Sequence, residues 1–280
     1  MELPKVYSIM PTKIDRNQPI GVFDSGLGGL TVVKELMRQL PKENVVYFGD
    51  TARVPYGTKS KESIVKFSKE NVAILLKHNV KMVVVACNTS SSLALPVLRR
   101  SFPIPIIGVI HPGARRAIVT TRNKKVGVIA TPATIASQAY SKTIKKLDRS
   151  IKVESQPCPL FVPLAEEGWF EKKSTLDIAS EYLKKMKTAK IDTLILGCTH
   201  YPLLKGVLHK VMGKSVKLVD SAQTVVGEVK QHLEDAGKAR VSKTLPRYKF
   251  LVSDQPKHFR KLAKRFLGYN IKNVQRCDHV

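Results

Sequence analysis

Residues 82–90 read MVVVACNTS, and residues 193–201 read TLILGCTHY. Each is a continuous apolar run that ends on a cysteine followed by small polar residues. Runs of this kind, without polar alternation, are strands buried on both faces, the mark of a parallel sheet covered by helices. Cys198 follows Cys87 by 111 residues. Two further echoes keep the same order. Gly21-Val22-Phe23 returns as Gly127-Val128-Ile129, 106 residues later, and Val54-Pro55-Tyr56-Gly57 returns as Val162-Pro163-Leu164-Ala165, 108 later. Three matches at nearly one offset predict two α/β units of similar build, each about a hundred residues. Further strands at 20–23, 45–48 and 106–109, alternating with helical spacing at 30–40, 60–77 and 91–101, complete the pattern. In open α/β sheets functional groups collect at the carboxyl ends of strands. Two such units facing each other would present two thiols from opposite sides of one cleft, the geometry that inversion of a stereocentre requires.

The chain has 280 residues, 43% of them apolar, enough for a full core in one or two domains. No apolar run reaches membrane-spanning length, and the start lacks a secretory h-region, so no membrane partner is expected. Four widely spaced cysteines, at 87, 158, 198 and 277, argue against a disulfide framework and for a reducing, cytoplasmic setting. The net charge of +26 attracts anions, from nucleic acid to a small dicarboxylate. The basic residues are not interleaved with aromatics, and no zinc-finger, RRM or KH signature is present. Nucleic acid is therefore expected only as a secondary partner; a basic binding protein is the competing functional class.

Several turns carry candidate chemistry. Cys87 precedes a helix whose N-cap falls within 88–92, where free N–H groups favour a thiolate. In LGCTHYPLL, His200 is placed to tune Cys198 or pass a proton. Zinc on Cys87, Cys198 and His200 lacks ligand spacing, so no metal is expected. IGVFDSGLGG (20–29) is strand, glycine turn and helix, but lacks both G-x-G-x-x-G and the Walker lysine. Asp24 would repel phosphate, yet could hold an ammonium group or orient a thiol. In GDTARVPYG (49–57) the Tyr56 hydroxyl and Gly57 amide could bind a carboxylate. FVPLAEEGWF (161–170) brings Glu166 and Glu167 to the equivalent loop of the second unit, where one of them could reach His200. Cys158, between two prolines, and Cys277, in the tail, show no strand-end placement and read as packing residues.

The motifs FDSGLGG, GDTARVPYG, ACNTSS, GVIATPATI, CPLFVPLAEEGW and GCTHYPLL, in this order, resemble the glutamate racemase family of the aspartate/glutamate racemase superfamily. The match covers about 20 to 226, with weaker agreement beyond. His200 separates it from the aspartate racemase branch, where Glu usually stands. The resemblance implies two similar α/β domains with mainly parallel sheets, pseudo-twofold related, with the active site in the cleft between them. The first domain would comprise 1–112 and 222–280, with 1–19 an extension, and the second 113–221. It implies Cys87 and Cys198 as the catalytic pair, Asp24 assisting Cys87, and Glu166 and His200 assisting Cys198. Asp24, Ser25, Tyr56, Gly57, Asn88, Thr89, Thr131, Thr134, Thr199 and His200 would line a glutamate site. Cys87 would deprotonate the D and Cys198 the L enantiomer, without a cofactor, supplying D-glutamate for peptidoglycan. A homodimer is the expected assembly. Val54 and Gln138 depart from the family pattern at positions expected to stay clear of the chemistry.

Overall fold

The computed structural model of the chain describes residues 15–278, so residues 1–14 of the expected extension lie outside the described part. Among the described residues ten strands form two sheets: β1 (Ile20–Asp24), β2 (Val45–Gly49), β3 (Met82–Val85), β4 (Ile106–Gly108), β5 (Lys125–Ala130), β6 (Lys152–Pro157), β7 (Thr193–Gly197), β8 (Lys217–Asp220), β9 (Tyr248–Val252) and β10 (Val274–Arg276). The first sheet has the order β10-β9-β2-β1-β3-β4 and the second β6-β5-β7-β8. Every pairing is parallel. The order β2-β1-β3-β4 thus recurs strand for strand as β6-β5-β7-β8, which is the echo read from the sequence in structural form.

The echo has a packing cause at its glycines. A β-carbon on Gly21 in β1 would stand 3.0 Å from Val80, and one on Gly127 in β5 would stand 2.5 Å from Ile191 and 2.9 Å from Met186. In both units the central strand passes so close to the segment entering its neighbour that an added side chain would force that neighbour to shift. The VPYG/VPLA echo is positional only. Tyr56–Thr58 is a 3-10 turn after β2, whereas Phe161–Glu167 is an α-helix after β6.

Period-two alternation within the strands divides the core. Val22, Tyr47, Met82 and Val84 face a cluster that also takes Val126, Val128, Ile195 and Val219 from the second sheet. Phe23, Val46, Phe48, Val83 and Val85 point to the outer face of the first sheet, and Ile129, Leu194 and Leu196 to that of the second. The inner faces of both sheets therefore drain into one apolar core. Helices Leu30–Gln39, Ile110–Thr120 and Ser221–Asp235 fill it, the last two packing on each other after the equivalent strands β4 and β8. The expected boundary at 112/113 falls inside helix Ile110–Thr120.

Three expectations need correction. The single helix at 91–101 is two helices, Asn88–Leu93 and Leu95–Ser101. Pro96 brings no amide to the helical ladder, so the first helix stops and a second begins around it. The first helix also starts early enough that Cys87 itself occupies the N-cap position. Cys158 and Cys277 do follow strands directly, β6 and β10. Both strands lie at sheet edges and are half-polar, so neither shows an apolar run. No helix among the described residues is long and apolar enough to cross a membrane.

Candidate active site

Because all strands are parallel, the carboxyl ends of the two sheets open onto a shared cleft of about 370 Å3. Six strand ends supply its wall in equivalent pairs. Ser25 and Gly26 follow β1, Val54–Thr58 follows β2, and Cys87, Asn88 and Thr89 follow β3. Opposite them, Thr131 and Pro132 follow β5, Pro159 through Glu166 contributes after β6, and Cys198, Thr199 and His200 follow β7. The two thiols are 5% and 6% exposed, so each reaches the cleft while most of its surface is dry.

Cys198 sits beside a charged relay. Its Sγ lies 3.8 Å from His200 Nδ1, and His200 Nε2 lies 2.9 Å from Glu166 Oε1. Burial alone would lower the His200 pKa, but the bonds to Cys198 and Glu166 outweigh it and raise it to about 10. Burial likewise works to raise Glu166, and the histidine pulls it below the usual carboxylate range. An imidazolium at His200 can donate from both ring nitrogens, to a thiolate on one side and a carboxylate on the other. Of the two adjacent glutamates, Glu166 is the one that reaches the histidine. The ring is also held edge-on by Phe266, 5.4 Å between centroids, from helix Pro256–Leu267.

Cys87 has a different setting. Burial pushes its thiol up to about 12, helped by the charge of Asp24 and opposed by the amide and hydroxyl of Ser90. Asp24 is wholly buried and stands behind the cleft wall. It accepts the Gly26 amide at 3.1 Å and the Thr199 hydroxyl at 3.3 Å, tying the glycine turn of the first unit to the cysteine turn of the second.

Three other expectations change. The Tyr56 hydroxyl does not face the cleft: it donates to Asp50 and accepts from Asn71 Nδ2 at 3.1 Å, because those partners satisfy it in the buried space behind the turn. Thr134 is buried outside the wall, where it closes a triangle of hydroxyls with Thr89 (3.2 Å) and Thr131 (2.9 Å). Val54, expected to be remote from the chemistry, lines the cleft with Pro55. The Gly57, Ser25, Asn88, Thr89, Thr131 and Thr199 positions fall on the wall of the cleft. Asn88 also bridges the units, its Oδ1 accepting from Tyr140 at 2.7 Å. The apolar rim of Pro159, Val162 and Pro163 was missed, although its place after β6 matches Val54 and Pro55 after β2. Among the described residues no group of three or more His, Cys, Asp and Glu side chains is placed to hold a metal ion.

Comparison with known proteins bears on this arrangement. A family model described as Asp/Glu/Hydantoin racemase matches residues 20–229. The glutamate racemase of Geobacter metallireducens is 48% identical over 255 residues, covering 91% of this chain and 94% of its own length. The structure of glutamate racemase isoform RacE1 from Bacillus anthracis shares 40% identity with a TM-score of 0.91, covering 94% of this chain and 98% of that one. Glutamate racemase from Francisella tularensis, solved in complex with D-glutamate, gives 42% identity and a TM-score of 0.87 over 94% and 98% of the two chains.

Proposed function

The chain belongs to the Asp/Glu/Hydantoin racemase family as a glutamate-racemising isomerase, and from that premise we propose how its own residues perform the reaction. Cys198 and Cys87 are the two bases. One thiolate takes the α-proton and becomes a thiol, while the opposite thiol gives its proton to the other face and becomes the thiolate. The scheme needs one thiol and one thiolate at rest, and their settings support that division. Cys198 faces the His200 imidazolium, whereas Cys87 is buried near Asp24 with its pKa near 12. In this resting state Cys198 serves the L enantiomer, and Cys87 serves the D enantiomer once the roles have reversed.

An amino-acid α-proton is far less acidic than a thiol, so the site must stabilise the carbanionic carboxylate. Helix geometry leaves the first amides of Asn88–Leu93 without intrahelical acceptors. With the hydroxyl of Ser25, which also lines the cleft, they are the donors assigned to substrate carboxylates. The low exposure of both thiols strengthens every such bond by keeping water away.

The same reading places the enzyme in the cytoplasm, supplying D-glutamate for peptidoglycan as a homodimer. Its domains are 1–112 with 222–280, and 113–221. The observation that carries it is the arrival of two buried thiols in one cleft from equivalent strand ends. Circular dichroism on L- and D-glutamate, with aspartate as control and no added cofactor, tests it. Cys87→Ser and Cys198→Ser should each lose nearly all racemisation; full activity in either variant sinks the two-base scheme.

A further inference from the structure

We propose that Tyr140 is a positioning residue for the cleft, its hydroxyl fixing the Asn88 side chain so that the amide nitrogen is the end offered to a substrate carboxylate. The proposal rests on the reading of this cleft as the glutamate site and adds to it a residue that is not itself on the wall. Asn88 follows Cys87 directly and opens helix Asn88–Leu93, so it stands beside the thiol on the cleft wall. A side-chain amide has one end that accepts and one that donates twice, and only the donating end can meet a carboxylate.

Tyr140 decides between the two ends. Its hydroxyl donates to Asn88 Oδ1 at 2.7 Å. On the other side Asn88 Nδ2 donates to Ser221 Oγ at 3.4 Å, at the start of helix Ser221–Asp235. Among the described residues the accepting end is thus taken, and one N–H is left for the cleft. An amide without this bond could turn and set its oxygen against a carboxylate, acceptor against acceptor.

Tyr140 is itself held without slack. It is 3% exposed and lies on helix Ala139–Leu147 of the second unit. A β-carbon on Gly113 of helix Ile110–Thr120, or on Gly197 at the end of β7, would stand 3.2 Å from its ring. Gly197 is the residue before Cys198, so one tyrosine packs against the turn of one thiol and bonds to the turn of the other. The second unit repeats the device from the opposite side. Thr199 follows Cys198 as Asn88 follows Cys87, and its hydroxyl donates to the buried Asp24 at 3.3 Å. In each unit the residue after the thiol is held by a buried side chain of the other unit.

A double-mutant cycle in the full chain tests this, with kcat and KM for L- and D-glutamate read by circular dichroism. Tyr140→Phe keeps the ring against both glycines and removes the hydroxyl alone. It should lower kcat/KM about tenfold for both enantiomers, chiefly through KM, the weight of a hydrogen bond to a charged group. Asn88→Ala should lose at least as much. Tyr140→Phe combined with Asn88→Ala should lose no more than Asn88→Ala alone, because the tyrosine acts through the amide. Asn88→Asp keeps an acceptor for Tyr140 but offers no donor to the cleft, so KM should rise as in Asn88→Ala, in a protein whose tyrosine is untouched. Wild-type kcat/KM in Tyr140→Phe, losses that multiply in the double variant, or a wild-type KM in Asn88→Asp would each leave Tyr140 a merely structural role and overturn the proposal. Wild-type kcat/KM in Asn88→Ala overturns more, since the wall beside Cys87 would then not meet the substrate and the reading of the cleft would fall with the proposal.

Discussion

Gly28 of the first unit and His200 of the second approach so closely that a β-carbon on Gly28 would stand 2.5 Å from His200 Nδ1, and 2.1 Å from the neighbouring Thr199 hydroxyl. The turn after β1 is thus a wall against which the CTH turn is set. Gly28→Ala must displace the glycine turn or the facing Thr199 and His200, and with His200 its contact to Cys198. A displacement of about 1 Å at a reacting group costs on the order of a hundredfold in rate. The expected result is such a loss in kcat, by circular dichroism on L-glutamate, with the protein still folded. Unimpaired turnover would show that the two turns are not so closely held.

Tyr56→Phe separates binding from support. The hydroxyl bonds to Asp50 and Asn71 behind the cleft, and Asp50 keeps Arg53 at 2.7 Å and Ser253 at 3.0 Å when it is gone. The variant should lose about 1–2 kcal/mol of stability for the buried Asn71 donor left unmatched, with KM for glutamate within about twofold of wild type. A large rise in KM at constant kcat would instead put the hydroxyl on the substrate.

That reversal at Tyr56 shows what the sequence could and could not carry. β1, β3, β5 and β7 were legible because each is buried on both faces and reads as an apolar run, and Gly21 of β1 and Gly127 of β5 repeat for the same packing reason. Cys87 and Cys198 were legible because they end such runs. β6, with the sequence KVESQP at a sheet edge, and the short β10 carry no such signal. The direction of a side chain was the least legible feature. Asp24 and Tyr56 turn from the cleft to partners distant in the sequence, Thr199 in one case and Asn71 in the other, and no local pattern encodes that choice.

The pH dependence of stability follows from His200. Its folded pKa, about 10, lies above the ordinary value of 6.5. A group raised on folding contributes in full below the unfolded pKa, and the contribution is lost as pH rises through the folded one. Wild type should therefore lose stability progressively between about pH 6.5 and 10. Glu166→Gln removes one of the groups holding the proton, so its decline should be shallower and end at lower pH. Urea midpoints at intervals across that range decide the matter; parallel profiles for the two proteins would deny the pairing.

The buried Lys81–Glu43 pair belongs to the opposite end of the first sheet, and its removal should act on stability alone. Lys81 Nζ lies 2.6 Å from Glu43 and also donates to the Arg16 and Lys238 carbonyls, both at 2.9 Å. Glu43 accepts the Arg240 amide at 2.8 Å. Burial pulls the lysine below its ordinary pKa and Glu43 partly restores it. Lys81→Met leaves a buried carboxylate facing one amide, a change that costs about 3–5 kcal/mol. Lys81 precedes β3 and Cys87 follows it, six residues on, so roughly 20 Å of extended chain separates the pair from the thiol. Denaturation midpoints should fall sharply while kcat/KM of the folded fraction stays at the wild-type value. The double variant Lys81→Met with Glu43→Leu should recover part of the loss, since the carboxylate left without its lysine is then gone as well. A single variant as stable as wild type would mean that the pair is not sealed from water.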